Sequence, residues 1–301
     1  MGGSLGQRRS LMEPTEPFWP IWDNDGQKPE LGFSHVILAS TVLPLRNSKA
    51  TSYKKTNGRA RLVLRTTPRD DDHDDEEVYL PYGPKARLLL LYAMSECKRT
   101  NSPVVEIGSS FSDFCSRAGL KPHGRNIKTL QEQLYRLSQT YVKVRVPVGF
   151  RGEDEARAFL FSKIRLYREG DKRQGMLWPQ QLTFHHDIAE SIITHSFPVD
   201  MKALRNITHS ARGIDIFLWL SHRLYRLNKT TTVPWKSLLQ QFAKDGAHLG
   251  SFRGRFREAL ELVLERAYPA ANVELTEAGL ILKESPLAVP KKKSFYFKGV
   301  G

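Results

Sequence analysis

The residues best placed to do chemistry in this chain are arginines gathered at the start of one helical pattern. In the stretch after Ser251, Phe256, Leu260, Val263 and Ala267 recur at helical spacing and form an apolar stripe. Arg255 and Arg257 flank that stripe, with Gly254 between them on the outward side. A guanidinium can pair bidentately with guanine or clamp a phosphate, and a glycine lets a backbone come close. Ser251 can cap this helix and bind phosphate at its start. Arg253 lies at the margin of the stripe, within reach of DNA or of a neighbouring carboxylate. Lys236 opens the helix before and joins the group.

A second set resembles the first. Ile127, Leu130, Leu134 and Leu137 fall on one helical face, and Arg125, Asn126 and Lys128 hold the outward places. The Asn126 amide has the donor and acceptor to read adenine. Residues 141–148 alternate strictly, with Lys143 and Arg145 on the polar face, as suits contact with a DNA backbone. The alternative in every case is a solvated basic surface. Several arginines near one helix start oppose the helix dipole unless an anion balances them, which favours DNA at the second helix. For the first helix, DNA contact and dimerisation both stay open.

Catalysis finds no such spacing. A rolling-circle nickase needs two histidines separated by one residue plus a nucleophilic tyrosine. Here His185 and His186 are adjacent, and on a strand adjacent side chains point to opposite faces. His186 and His195 are too far apart for a helical ligand pair. No GxxxxGK[S/T] phosphate loop occurs. Cys97 and Cys115 lack metal-type spacing and suggest a reducing compartment. The expectation is a binding protein with no catalytic residue, metal or cofactor.

Charge agrees. The chain of 301 residues has 46 basic and 32 acidic side chains, a net charge of +14. Seven of the acids sit in Asp70-Asp71-Asp72-His73-Asp74-Asp75-Glu76-Glu77, so the rest is more basic still. A polyanion-binding surface follows, although charge alone also serves solubility. The acidic run reads as a solvated loop. The longest apolar run, residues 88–94, is far below the ~20 residues of a membrane helix, and no signal-peptide pattern opens the chain. A cytoplasmic protein without membrane contact is expected.

The elements that position these residues occur twice. An amphipathic helix from Gly83, a short β segment at 104–107, two further helices and an alternating strand recur from Ser210 onward. Leu91 matches Phe217, Ile107 matches Val233 and Val144 matches Val273, at offsets of about 126 to 129 residues. The turn region 149–157 followed by a strand at 159–167 gives a hairpin of wing size. Helix, helix, basic helix, then strands is the winged-helix order. The predicted fold class is α+β, with two tandem winged-helix domains related by internal repeat. The divisions are an irregular N-terminal arm at 1–34 with an aromatic knot at 18–22, a first winged helix at 35–168, a connecting segment at 169–209, a second winged helix at 210–287 and a basic tail at 288–301. Val36-Ile37-Leu38 and residues 61–65 read as strands ahead of the first repeat.

Residues 80–91 (Leu80-Pro81-Tyr82-Gly83-Pro84 and onward), 107–114 and 124–137 resemble the plasmid-encoded RepA replication initiators of Gram-negative bacteria. The likeness resumes at Gly213-Ile214-Asp215-Ile216-Phe217-Leu218-Trp219-Leu220 and at 252–269. The resemblance spans about 35–287 and leaves out the arm and the acidic run. It implies binding to repeated sites, iterons, in double-stranded DNA of a plasmid origin, and opening of adjacent A·T-rich DNA. It also implies recruitment of a host initiator and replicative helicase, and a monomer–dimer equilibrium that controls copy number. A winged-helix transcriptional regulator with no replication role would present the same DNA-binding residues.

Overall fold

Local chemistry decides the first elements. Strand β1 (Leu31–His35) ends at His35, whose Nδ1 accepts a hydrogen bond from the Ile37 N–H at 3.1 Å. That cap starts helix α1 (Val36–Ser40), so the Val36-Ile37-Leu38 run is helical where its composition reads as a strand. In this computed structural model, residues 30–67, 77–107, 114–115, 124–168, 177–244 and 246–289 are described. The aromatic knot 18–22, the acidic run as far as Glu76, the tail from 290 and most of the short helix read around Cys115 lie outside them.

A tight turn at Gly58 (φ +58°) joins β2 (Ser52–Asn57) to β3 (Ala60–Thr66). Helix α2 (Gly83–Thr100) has Pro84 in its first turn, and Asn101 closes it in the left-handed conformation. Then come β4 (Val104–Glu106), α3 (Gly124–Ser138), β5 (Thr140–Val148), β6 (Gly152–Phe159), β7 (Phe161–Arg168) and β8 (Leu177–Phe184). Helix α4 (His186–His195), β9 (Ser196–Asp200) and α5 (Met201–Arg205) follow. The chain ends in α6 (Ala211–Tyr225), β10 (Thr231–Pro234), α7 (Trp235–Phe242), α8 (Leu249–Arg266), β11 (Val273–Leu275) and β12 (Gly279–Leu282). The protein is of the α+β class, with every strand pair antiparallel.

The strand pairing differs from the hairpin expected at 141–167. The partner of β5 is β6, and only Gly149, Phe150 and Arg151 form the turn between them. Glu153, Asp154 and Glu155 fall within the stretch 149–157 that reads as a turn region in sequence. They lie in a strand that buries Ala156 and Ala158, and Lys143 and Arg145 pair with two of its glutamates across the ladder, Lys143 to Glu155 at 2.8 Å and Arg145 to Glu153 at 3.4 Å. After buried Leu160, β7 leaves for a different sheet.

That sheet reveals the repeat in another form. It has the order β4-β8-β7, and the last sheet has the order β10-β12-β11. In each, a short strand after the first helix pairs with the last strand of the repeat. The counterpart of β11 and β12 is therefore β7 and β8, not β5, and the match of Val144 with Val273 fails. The β5–β6 hairpin is an insertion that joins β2 and β3 in a four-stranded sheet ordered β2-β3-β5-β6.

One buried cluster runs through both repeats, from Ile37 to Leu282. At its centre Arg87 of α2 meets Asp215 of α6, the first helices of the two repeats. Nε and Nη2 each donate to a carboxylate oxygen at 2.7 Å. The remaining guanidinium hydrogens go to the carbonyls of Leu43, Pro44 and Gly83 at 2.8 to 3.1 Å, so all five donors of Arg87 are used. Gln241 of α7 donates to the Ala39 carbonyl, a second tie between the ends of the chain.

A candidate nucleic-acid interface

Helix α8 buries Phe252, Phe256, Leu260 and Val263, and the first two pack edge-on to Trp235 of α7 and against each other. Burial of that stripe turns Ser251, Gly254, Arg255 and Arg257 outward, and all four are exposed. Ser251 is not the cap expected of it. His248 holds the N-cap place without a side-chain bond, and Ser251 sits inside the first turn. Its hydroxyl donates back to the His248 carbonyl and accepts from Arg255 Nη2 at 2.9 Å. Arg255 Nε donates to the Ser251 carbonyl at 3.0 Å, so the guanidinium lies along the helix start rather than stretched into solvent. With no acid in the first turn, the opening N–H groups of α8 keep their positive field.

Gly250 and Gly254 lie one turn apart on the outward ridge, and a Cβ at either would meet nothing within 4 Å. The ridge is open to close approach by another backbone. Glu258 and Glu261, both exposed, follow on the same side. A polyanion is thus favoured over residues 249–257 of α8 and repelled from Glu258 onward. That is the part of a recognition helix that meets base edges in helix-turn-helix proteins.

Arg253 points elsewhere. Its guanidinium lies 5.2 Å from the Trp235 ring centroid and donates to the Glu277 carbonyl in the β11–β12 turn. Gly279 makes that turn possible. At φ +155°, a Cβ there would lie 2.1 Å from the Val233 carbonyl oxygen. Lys236 is exposed on the first turn of α7.

Two arginines outside the predicted set complete the surface. Arg212, in the first turn of α6, stands over the Phe252 ring at 5.7 Å. Burial lowers its pKa, and Arg255, Arg46 and Arg87 push in the same direction. Its Nη1 is buried and bonds to no described residue. Among these groups Asp215 is the carboxylate that counters Arg212, and Arg87 already holds it. Exposed Arg46 adds to an excess of cations that a bound phosphate would relieve. Arg46 and Arg212 carry no helix-face signal in sequence. Only the packing of α6 against α8, with Arg46 near Arg212, brings them here.

The first repeat gives less. Arg125 and Asn126 lie in the first turn of α3, but their side chains fall outside the described residues, while Lys128 is exposed. Lys143 and Arg145 are on the outward face of β5, as alternation requires, but both are engaged by Glu155 at 2.8 Å. Those hydrogen bonds, Lys143 first, hold the Glu155 carboxyl down at about 2. The histidines weighed as ligands are dispersed. His185 caps α4, and His195 pairs with Asp154 at 2.8 Å. No described helix is long and apolar enough to cross a membrane.

The site thus belongs to an α+β protein with a basic, glycine-ridged helix start. The family of plasmid encoded RepA proteins matches residues 80–236, more than half of the sequence, and the chain belongs to that family of replication initiators. Among solved structures, the chain is similar to domains 2 and 3 of RctB (selenomethionine derivative), with 12% identity, a TM-score of 0.51, and coverage of 85% of this chain and 97% of the other. A second RctB structure of domains 2–3, residues 155–483, gives 11% identity, a TM-score of 0.47, and coverage of 82% and 96%. At such identity the first likeness shows a shared fold. No curated protein sequence matches the chain.

Proposed function

We propose that this initiator binds repeated sites, iterons, in double-stranded DNA of its plasmid origin, with two winged-helix units and with α8 as the reading helix. The observation that carries this is the first nine residues of α8, 249–257: outward Arg255 and Arg257, an open Gly250–Gly254 ridge and no acid. Arg255 exchanges its bonds to Ser251 for a base edge or phosphate, and Arg46 and Arg212 take the adjoining phosphate. Lys236 and the β11–β12 turn meet the flanking backbone. Lys128, with Arg125 and Asn126, gives the first repeat a smaller share. The protein acts by binding rather than catalysis, and needs no cofactor. Family membership supports the later steps: opening of A·T-rich DNA, recruitment of the host initiator and replicative helicase, and a monomer–dimer equilibrium that sets copy number.

The test is a footprint of the full-length protein on its own replicon. Regular protection over direct repeats, abolished in Arg255→Ala and Arg257→Ala while the fold persists, is the expected result. Removing a bidentate base pairing at either position weakens binding by about 1–3 kcal/mol and relaxes one base position. Protection of a single operator, with plasmid replication independent of the protein, would replace this reading with that of a transcriptional regulator.

A further inference from the structure

The inserted β5–β6 hairpin leaves one face of the sheet β2-β3-β5-β6 outside the core. Leu62, Leu64, Val142, Val144, Ala156 and Ala158 turn inward and are buried. The pairing register sets their neighbours on the opposite face. One row across it reads Lys54, Val63, Lys143, Arg157, and the next reads Thr56, Arg61, Arg145, Glu155. With Arg65, the outward cations number six, against the carboxylates Glu153 and Glu155. Lys143 and Arg145 are held by those two glutamates. Lys54, Arg61, Arg65 and Arg157 are paired with no carboxylate among the described residues.

Aromatic rings mark both ends of this face. At one end Tyr141 and Phe159 stand edge to face, ring centroids 6.0 Å apart, with Phe159 42% exposed. At the other end the two hairpin turns lie side by side. Arg59 from the β2–β3 turn donates to the carbonyls of Gly149 at 2.9 Å and Gly152 at 3.2 Å, which stiffens the second turn. On that turn Phe150 is 90% exposed, with the Arg151 guanidinium 5.8 Å from its ring centroid. A phenylalanine so exposed contributes nothing to the core.

We propose that this face is a second nucleic-acid surface, separate from α8, that holds an unpaired DNA strand. Cations in rows match phosphates, and exposed rings match bases, whose faces are accessible only when they are unpaired and unstacked. A four-stranded sheet about 14 Å between its outer strands does not fit the ~12 Å major groove of a duplex. A second copy of the same face is excluded as occupant by its own excess of positive charge. The two surfaces are also apart. The Gly149 turn borders Tyr225 and Arg226 at the end of α6, whereas Arg255 lies beside Arg212 at its start, about 20 Å away along the helix axis. The proposal rests on the initiator reading, since it gives the opened strand a place on the protein that opens it. It uses different residues, so the two readings fail separately.

The experiment uses the full-length protein and two probes: a fluorescein-labelled oligothymidylate of about 20 nucleotides, and a duplex carrying its origin repeat. Anisotropy gives the affinity for each. Phe150→Ala is expected to weaken oligothymidylate binding about 5- to 150-fold and leave duplex binding unchanged. Arg61→Glu with Arg157→Glu is expected to weaken it further and flatten its salt dependence. Arg255→Ala should do the reverse, weakening duplex binding alone. Circular dichroism and the urea midpoint check that each variant is folded. Oligothymidylate affinity unchanged in the Phe150→Ala/Arg61→Glu/Arg157→Glu variant overturns the proposal. So does an equal loss on both probes, which makes the face part of the duplex interface. A shift in sedimentation coefficient with oligothymidylate binding intact assigns the face to a protein contact and also overturns it.

Discussion

Replacing Arg87 with alanine tests the central feature of this fold, the buried ion pair that joins the two repeats. The guanidinium is 1% exposed and the Asp215 carboxylate 5% exposed. Removing the cation leaves a buried anion without its counter-charge, a loss of about 3–5 kcal/mol. It also leaves the carbonyls of Leu43, Pro44 and Gly83 without their donor, and each buried unsatisfied acceptor adds about 1–3 kcal/mol unless water enters the space. A loss of about 4 kcal/mol or more is therefore expected, a large fraction of the 5–15 kcal/mol that holds a typical protein folded. Urea unfolding followed by circular dichroism reads it. With a slope of about 2.5 kcal/mol/M, the midpoint falls by about 1.5 M. Asp215→Asn keeps the shape and loses only the charge, so its cost is smaller, about 1.5–3 kcal/mol. Arg87→Ala with Asp215→Ala must cost less than the sum of the singles, because either single already breaks the pair. Wild-type unfolding should be one transition, since one core runs through both repeats. A change under 1 kcal/mol for Arg87→Ala, or strict additivity in the double variant, would refute the reasoning. Two separate wild-type transitions would do the same.

Other perturbations have defined outcomes. Burial, helped by His195, holds His35 at about 3, and burial beside Arg226 and Arg223 holds His222 at about 4. Both are below the unfolded value of 6.5, so the unfolded chain binds more protons and stability is lost as pH falls below about 6.5. Each histidine contributes a slope of about 1.4 kcal/mol per pH unit down to its folded pKa. Urea midpoints at pH 7, 6 and 5 measure this, and a flat series would contradict it. Phe256→Ala opens a cavity between Trp235, Phe242 and Phe252 and should cost roughly 3–5 kcal/mol of stability by urea unfolding. Duplex binding should be steep in salt: neutralising on the order of 6–10 phosphates weakens it by about 10³–10⁵ between 50 and 200 mM, and a shallow slope by anisotropy would remove the arginine surface as the main interface. Cutting the chain near residue 205 to isolate the second repeat should give an unstable fragment, because Asp215 loses Arg87 and Gln241 loses the Ala39 carbonyl. Limited solubility or reduced helicity by circular dichroism is the expected readout.

Periodicity alone located α2, α3, α6 and α8, because a helix that must bury one face repeats its apolar residues every three or four positions. The same spacing placed Gly254, Arg255 and Arg257 outward on α8. The strict valine alternation gave β5 and its two faces. Local pattern does not encode partners, and there the tertiary structure decided. Whether β5 pairs with Gly152–Phe159 or with a later strand depends on tertiary contacts, the burial of Ala156 and Ala158 with the ion pairs across the ladder, in a stretch that reads as a turn region. Val36-Ile37-Leu38 has the composition of a strand, yet a histidine cap makes it a helix. The constant offset between repeats held for the first helix and the first short strand and then failed, because a hairpin is inserted and a hairpin's sheet is chosen by distant strands. Arg46 and Arg212 came to the candidate site only through packing, since segments far apart in sequence that pack together leave no local period to read. Arg87 and Asp215 stood in the sequence as an arginine and an aspartate on two similar helices. Only the fold brought them within 2.7 Å and removed the water around them, which turned two ordinary charges into the joint of the molecule.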